Sequence, residues 1–155
     1  MLLDPEFIED CPYGPEAIFF DELVELDREH NSIQLRMPTH ETLALTKHQR
    51  VHPTRHPRHV NGGLMVHITG VVAMAHVYFL HNLRHRDGWI GYGALIKQAR
   101  YPNMATIGDP LLLNAQATRM RGGGDKRVIV YDFRFTQNDQ PVFESTQTAM
   151  FLRIE

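Results

Sequence analysis

Cysteine is almost missing from this chain: Cys11 is the only one in 155 residues, so no intramolecular disulfide can form. A dominant charge is missing too. Sixteen Lys+Arg against eighteen Asp+Glu leave a formal net charge of -2, which provides no positive field to draw in nucleic acid or an anionic membrane, and neither is expected as a partner. The opening residues MLLDPEFIED are acidic and hold no basic segment followed by an apolar one. No secretion signal is therefore expected, and the expected location is the cytoplasm. Acids vanish entirely over one stretch, since no Asp or Glu occurs from Val60 to Arg86. What is abundant is histidine, with ten in all, and six of them (His40, His48, His52, His56, His59 and His67) crowd before and into that same acid-free stretch. With 43% hydrophobic residues, no linker and no repeat, the chain reads as a single domain over residues 1–155 with room for a real core.

Gly63–Arg86 is the one long segment of helical character. Leu64, Ile68, Val71, Val72, Ala75, Phe79 and Leu83 recur at steps of three and four, and Met65, Ala73, Val77 and Leu80 widen the stripe around the cylinder. Such a helix must be largely buried. His67, Thr69, His76 and His81 interrupt it before the roughly 18 apolar residues a bilayer helix needs, so it reads as a core element and not a membrane span.

The rest reads as strand and turn. Ile33, Leu35 and Met37 alternate with polar neighbours, as do Ile129, Tyr131, Phe133 and Phe135 and then Val142 to Ile154. Leu111–Met120 and Arg127–Phe135 flank a turn at Gly122-Gly123-Gly124-Asp125, and Gln137-Asn138-Asp139-Gln140-Pro141 supplies the next turn. Ala17–Leu26 is expected as the first strand, Asn31 in the turn to the second, and Gly93–Tyr101 as the strand after the helix. The order is β-β-loop-α-β-β-β-β, with a long connection over 38–61 of a length that usually serves a function. An apolar helix placed among antiparallel strands is best buried by a sheet that curls around it. The fold class is therefore α+β.

In this element order the chain resembles the hotdog-fold superfamily of acyl-CoA and acyl-carrier-protein thioesterases and hydroxyacyl dehydratases. Ala17–Asp27 is similar to the first strand of the dehydratase branch, and the His-Pro-rich loop entering Gly62-Gly63 is similar to its active-site loop. The resemblance implies an antiparallel sheet wrapped around one long central α-helix, with sites formed between protomers of a homodimer or dimer of dimers. It also implies acyl-CoA or acyl-carrier protein as substrate, with coenzyme A or phosphopantetheine part of that substrate and no separate cofactor. The family's acid on the central helix has no counterpart: its position falls near Ile68 by the dehydratase alignment and near Thr69 or Gly70 by the thioesterase one. Asn61-Gly62-Gly63 stands where one thioesterase branch opens with His-Gly-Gly, and His59-x-Asn61 is similar to a long-chain acyl-CoA thioesterase group that uses uncharged polar groups.

Within that frame the helix N-terminus supplies unsatisfied N–H groups and a positive dipole end, expected at Gly63 and Leu64, to polarise a thioester carbonyl, and Gly62-Gly63 lets the carbonyl approach closely. Asn61 and His59 are placed to orient or activate water, with helix capping the other reading of Asn61. His56, next to Pro57, is a competing base. His67, one turn into the helix, is a candidate to face the substrate, whereas His76 reads as a hydrogen-bonded core histidine. A missing acid could come from Asp21, Glu22, Glu41 or a partner chain. Pro53 and Pro57 break any helical metal-ligand spacing among His52, His56 and His59, and no metal is expected. Arg119, Arg121 and Lys126 gather positive charge at a hairpin tip, either a solvated turn or a holder for the phosphates of coenzyme A, with Arg100 or Lys97 in support. The function expected is acyl thioester hydrolysis; hydroxyacyl dehydration and non-catalytic acyl binding are the alternatives.

Overall fold

A computed structural model describes all residues from Met1 to Glu155. One antiparallel sheet of six strands is built from β1 (Glu22–Asp27), β2 (Ser32–Met37), β3 (Trp89–Arg100), β4 (Leu111–Arg121), β5 (Lys126–Gln137) and β6 (Gln140–Arg153). Its spatial order is β1-β2-β4-β5-β6-β3, so the chain crosses to the far edge after β2. The helix α2 (Gly62–His81) makes that crossing and lies in the curl of the sheet. A short helix, α1 (Pro5–Asp10), precedes the sheet; its N-cap is Asp4, whose carboxylate accepts from the Glu6 N–H.

The apolar alternation identified in the sequence is the alternation of burial. Ile33, Leu35 and Met37 of β2, Leu111, Leu113 and Ala115 of β4, and Ile129, Tyr131 and Phe135 of β5 all turn inward onto α2. From the helix, Leu64, Met65, Ile68, Val71, Val72, Ala75 and Val77 are buried against them. Fully burying one such side chain is worth about 1.5–3 kcal/mol, so the helix is held by the sum of its faces and not by propensity. Three boundaries differ from the sequence expectation. The helix stops at His81, because Asn82 takes the left-handed conformation (φ 53°) and Val77 O receives the N–H groups of both Asn82 and Leu83. The first strand begins at Glu22, because Pro15–Ala17 makes a short 3-10 turn instead. The strand after the helix starts early, at Trp89. By length and composition α2 could cross a membrane, despite its histidines, but here it is the core element of the sheet.

Polar groups inside this core are paired. His76 is fully buried, its Nε2 faces Asn31 O at 3.1 Å, and its Nδ1 lies 2.8 Å from the Tyr131 hydroxyl. Because Nε2 faces a carbonyl it must carry the proton, so Nδ1 accepts from the hydroxyl. Burial, aided by His81 nearby, pushes the His76 pKa down to about 4. His81, which donates to Asn31 Oδ1 at 2.8 Å, is lowered as well, chiefly by burial. A histidine held neutral in the fold contributes stability that is present above its unfolded pKa, near 6.5, and lost as pH falls toward the folded value. Urea unfolding between pH 7 and 4.5 should therefore show stability declining by about 1 kcal/mol per pH unit at steepest, and His76→Gln should flatten the slope. A wild-type stability that is constant or rising on acidification over this window would contradict the assignment.

Candidate active site

The site is built where the long loop after β2 enters α2. Asn61 is the N-cap, and its side-chain Oδ1 accepts from the N–H groups of Gly63 at 2.8 Å and Leu64 at 3.3 Å. The two donors expected to meet a substrate carbonyl are thus occupied by the cap. The N–H of Gly62, one residue earlier, makes no hydrogen bond within the chain and is the donor left over. Both glycines have a local reason to be there. A Cβ on Gly63 would press on the Asn61 Oδ1 at 3.0 Å, and a Cβ on Gly62 would meet the Tyr101 ring at 2.9 Å. Tyr101 lies over Gly62 and donates its hydroxyl to the Gly62 carbonyl at 2.9 Å.

His59 stands two residues before the cap and is fixed by its own backbone and by the loop. Gln49 presents its amide edge-on: Oε1 accepts from the His59 N–H and Nε2 donates to the His59 carbonyl, both at 3.0 Å. The buried Thr46 adds a hydroxyl to that carbonyl at 3.0 Å. The ring Nδ1 lies 2.8 Å from Pro57 O. A carbonyl can only accept, so Nδ1 carries the proton and Nε2 keeps its lone pair, the arrangement a general base needs. His56 is exposed, and its ring stands edge-on to His59 at 5.1 Å between centroids.

His59 and Gly62 line one open cleft of about 760 Å³, whose far wall is Tyr101 to Ala105 with Met65 beneath. That wall is tied to the sheet: Gln137 at the end of β5 bonds both the backbone of Thr106 and the carbonyl of Asp109, and Asn103 donates to Pro141 O. No carboxylate lines the cleft. Asp21 is held by Arg36 at 2.9 Å and 3.0 Å, Glu22 lies 3.9 Å from the same guanidinium, and Glu41 is exposed. Where an acid was sought on the helix, Thr69 donates its hydroxyl back to Val66 O at 2.7 Å.

The structure does not bring every expected residue to this cleft. His67 lies against the N-terminal segment, its Nε2 3.3 Å from Ala17 O and its ring edge-on to Tyr13 and Phe19. Arg119, Arg121 and Lys126 are exposed at the opposite end of the sheet, since Lys126 pairs with Leu152 while Gln137, at the other end of the same strand, is beside the cleft. Eleven residues of strand, about 35 Å at 3.3 Å each, separate those ends within one chain, so this tip does not serve the His59 cleft of its own protomer. Gln49 and Tyr101 were not singled out from the sequence. A glutamine in a loop and a tyrosine after a strand give no periodic signal, and only the fold sets them against His59 and Gly62.

No family model matches the chain, and no curated protein does. Solved structures do. A thioesterase from Pseudomonas aeruginosa, in a mutant form, is 16% identical, with TM-score 0.56 over 86% of this chain and 81% of that one. A hypothetical protein from Staphylococcus aureus, also a mutant, is 13% identical, with TM-score 0.60 over 86% and 93%. The dehydratase heterocomplex ApeI:P from Xenorhabdus doucetiae is 6% identical, with TM-score 0.66 over 96% and 91%. At these identities the likeness is one of fold, and the fold is the hotdog.

The cap is open to a direct check. Asn61→Ala should cost about 1 kcal/mol in urea unfolding, because it strips an acceptor from two N–H groups at once, whereas Asn61→Asp should keep or slightly raise stability by adding charge at the positive helix end. Equal stability for Asn61→Ala and wild type would mean that the cap holds nothing.

Proposed function

We propose that this hotdog chain is an acyl thioester hydrolase acting on acyl-CoA or an acyl-carrier protein, and that it needs no cofactor beyond the coenzyme A or phosphopantetheine its substrate carries. The observation that carries this reading is the pairing, in one cleft, of a His59 ring whose Nδ1 is tied to Pro57 O with a Gly62 N–H that has no partner in the chain. His59 Nε2 takes a proton from water as the water oxygen bonds to the thioester carbon. Negative charge then grows on the carbonyl oxygen, where the Gly62 N–H and the positive end of α2 stabilise it; one such donor is typically worth about 3 kcal/mol. Collapse of the tetrahedral adduct breaks the carbon–sulfur bond, and the imidazolium of His59 returns its proton to the leaving thiolate. Asn61 acts here as a positioning residue: by occupying Gly63 and Leu64 it leaves Gly62 as the donor, and its own Nδ2 remains free to hold water.

The same reading includes a homodimer. β3 is an edge strand with one neighbour, and its Tyr92, Leu95 and Ile96 are exposed. Such an edge is covered when a second copy pairs against it.

Incubating the protein with saturated and 3-hydroxyacyl-CoAs, while following free thiol and enoyl absorbance together, tests the proposal. Thiol release is expected, and His59→Ala should lower kcat/KM by about 10²–10⁴-fold with the unfolding midpoint unchanged, while His56→Ala should leave most of the activity. Enoyl formation without thiol release would establish dehydration in its place. Ligand-induced stabilisation with neither signal would mean binding alone.

A further inference from the structure

The loop between β2 and α2 carries charge of one sign. From Thr42 to Asn61 it holds Lys47, Arg50, Arg55 and Arg58 and no Asp or Glu, in a chain whose net charge is -2. None of the four cations has a carboxylate within ion-pairing distance. Lys47, Arg50 and Arg55 are exposed, and Arg58 is half-buried, its guanidinium donating to Thr46 O at 3.3 Å. Each of the four stands one residue from a group that touches His59 or next to His59 itself. Lys47 follows Thr46 and Arg50 follows Gln49, the two residues whose side chains hold the His59 carbonyl. Arg55 precedes His56, whose ring stands against that of His59, and Arg58 precedes His59. The loop is also braced, since His52 and His56 exchange both backbone hydrogen bonds, at 2.8 Å and 3.1 Å. A cationic surface already ordered around the mouth of the cleft loses little freedom when an anionic partner settles on it.

Shape and composition narrow the kind of anion. None of the four cations lines the His59 cleft or the other main cavities, so they offer no concave pocket for a nucleotide. No Phe, Tyr or Trp lies between Pro38 and Asn61, so the loop has no such ring on which a base could stack. Aliphatic side chains are exposed among the charges instead, Leu45 at 51% and Val51 at 47%. Leu45 is turned outward at a positive φ of 66°, which strains a leucine, while Leu43 and Thr46 on either side of it are buried. Apolar anchors set among cations on an open surface suit the acidic face of a protein.

We propose that the 42–61 loop is the docking surface for an acidic carrier protein, so that the acyl chain reaches His59 on protein-bound phosphopantetheine and not on coenzyme A. This rests on the hydrolase reading for the acyl cargo and for the place of its thioester at Gly62; the docking itself depends only on the charge and exposure of the loop.

The test puts one acyl chain on three supports, as octanoyl-carrier protein, octanoyl-CoA and octanoyl-pantetheine, and compares wild type with the triple variant Lys47→Glu, Arg50→Glu, Arg55→Glu. A carrier protein bearing a non-hydrolysable octyl thioether, titrated by calorimetry, follows docking without chemistry. In wild type kcat/KM should be highest on the carrier protein and should fall by about tenfold or more as salt is added. The triple variant should lose about tenfold or more on the carrier protein, through KM and with matching loss of thioether-carrier affinity, while octanoyl-CoA changes little. Its activity on octanoyl-pantetheine should equal that of wild type, which also shows that the variant is folded. A loss on octanoyl-CoA as large as that on the carrier protein would assign the loop to the phosphates of coenzyme A and overturn the inference. An equal loss on octanoyl-pantetheine, carrier affinity that survives in the triple variant, or equal affinity of wild type for a short DNA duplex also overturns it. So does an oligomer that the triple variant dissociates, which would make the loop a contact between copies. If wild type hydrolyses octanoyl-CoA but does not bind the thioether carrier, the inference alone falls; if it neither binds nor hydrolyses, both readings fall. Carrier binding that the triple variant loses, without thiol release from any substrate, supports the docking surface and removes the hydrolase reading.

Discussion

The contact between the Asn61 side chain and the first turn of α2 decides which backbone donors this helix end keeps free. A helix enclosed by a sheet has nowhere to hide unsatisfied N–H groups, so its first turn must find acceptors close by. Asn61 Oδ1 takes two of them, Gly63 makes room for that approach, and Tyr101 packs on the bare face of Gly62. The outcome is one unpaired donor, the N–H of Gly62, a residue that lines the cleft, instead of a diffuse positive helix end.

The same scarcity of charge shapes the rest of the interior. α2 carries no acid, so its polar residues are satisfied by neutral partners: Thr69 by a carbonyl one turn back, His76 by Tyr131 and Asn31. Burial without a counter-charge keeps His76 neutral, and it serves as a pin between helix and sheet. At the mouth, with no carboxylate lining the cleft, His59 depends on a carbonyl for its tautomer and orientation. A backbone acceptor fixes which nitrogen is basic but adds less charge than a carboxylate would, so the hydrolysis proposed above leans more on the helix end and its free N–H.

Much of the fold was legible because burial and sequence pattern coincide. The alternation in β2, β5 and β6 matches their inward faces, and Asn138-Asp139, both at positive φ, make the tight turn their chemistry implied. The helix end was misplaced by five residues because Leu83 continues the apolar stripe while Asn82 ends the backbone pattern, and a cap is decided by one residue's conformation. α1 was missed because its six residues are too few to show a period. At the site, the segment Asn61-Gly62-Gly63 and the nearness of His59 were readable. Which N–H stays free was not, since it depends on where Asn61 Oδ1 points. That the charged hairpin tip and the cleft of its own protomer stand at opposite ends of β5 became plain only once the strand register was known.

Amide NMR with a bound acyl thioether carrying a ketone or sulfoxide oxygen at the thioester position addresses the central claim most directly. The Gly62 N–H resonance should move far downfield on binding, as expected for a donor that gains its acceptor, while those of Gly63 and Leu64 stay near their free positions. Large shifts at Gly63 and Leu64 with Gly62 unmoved would show that the cap gives way to substrate and that the account of this helix end is wrong.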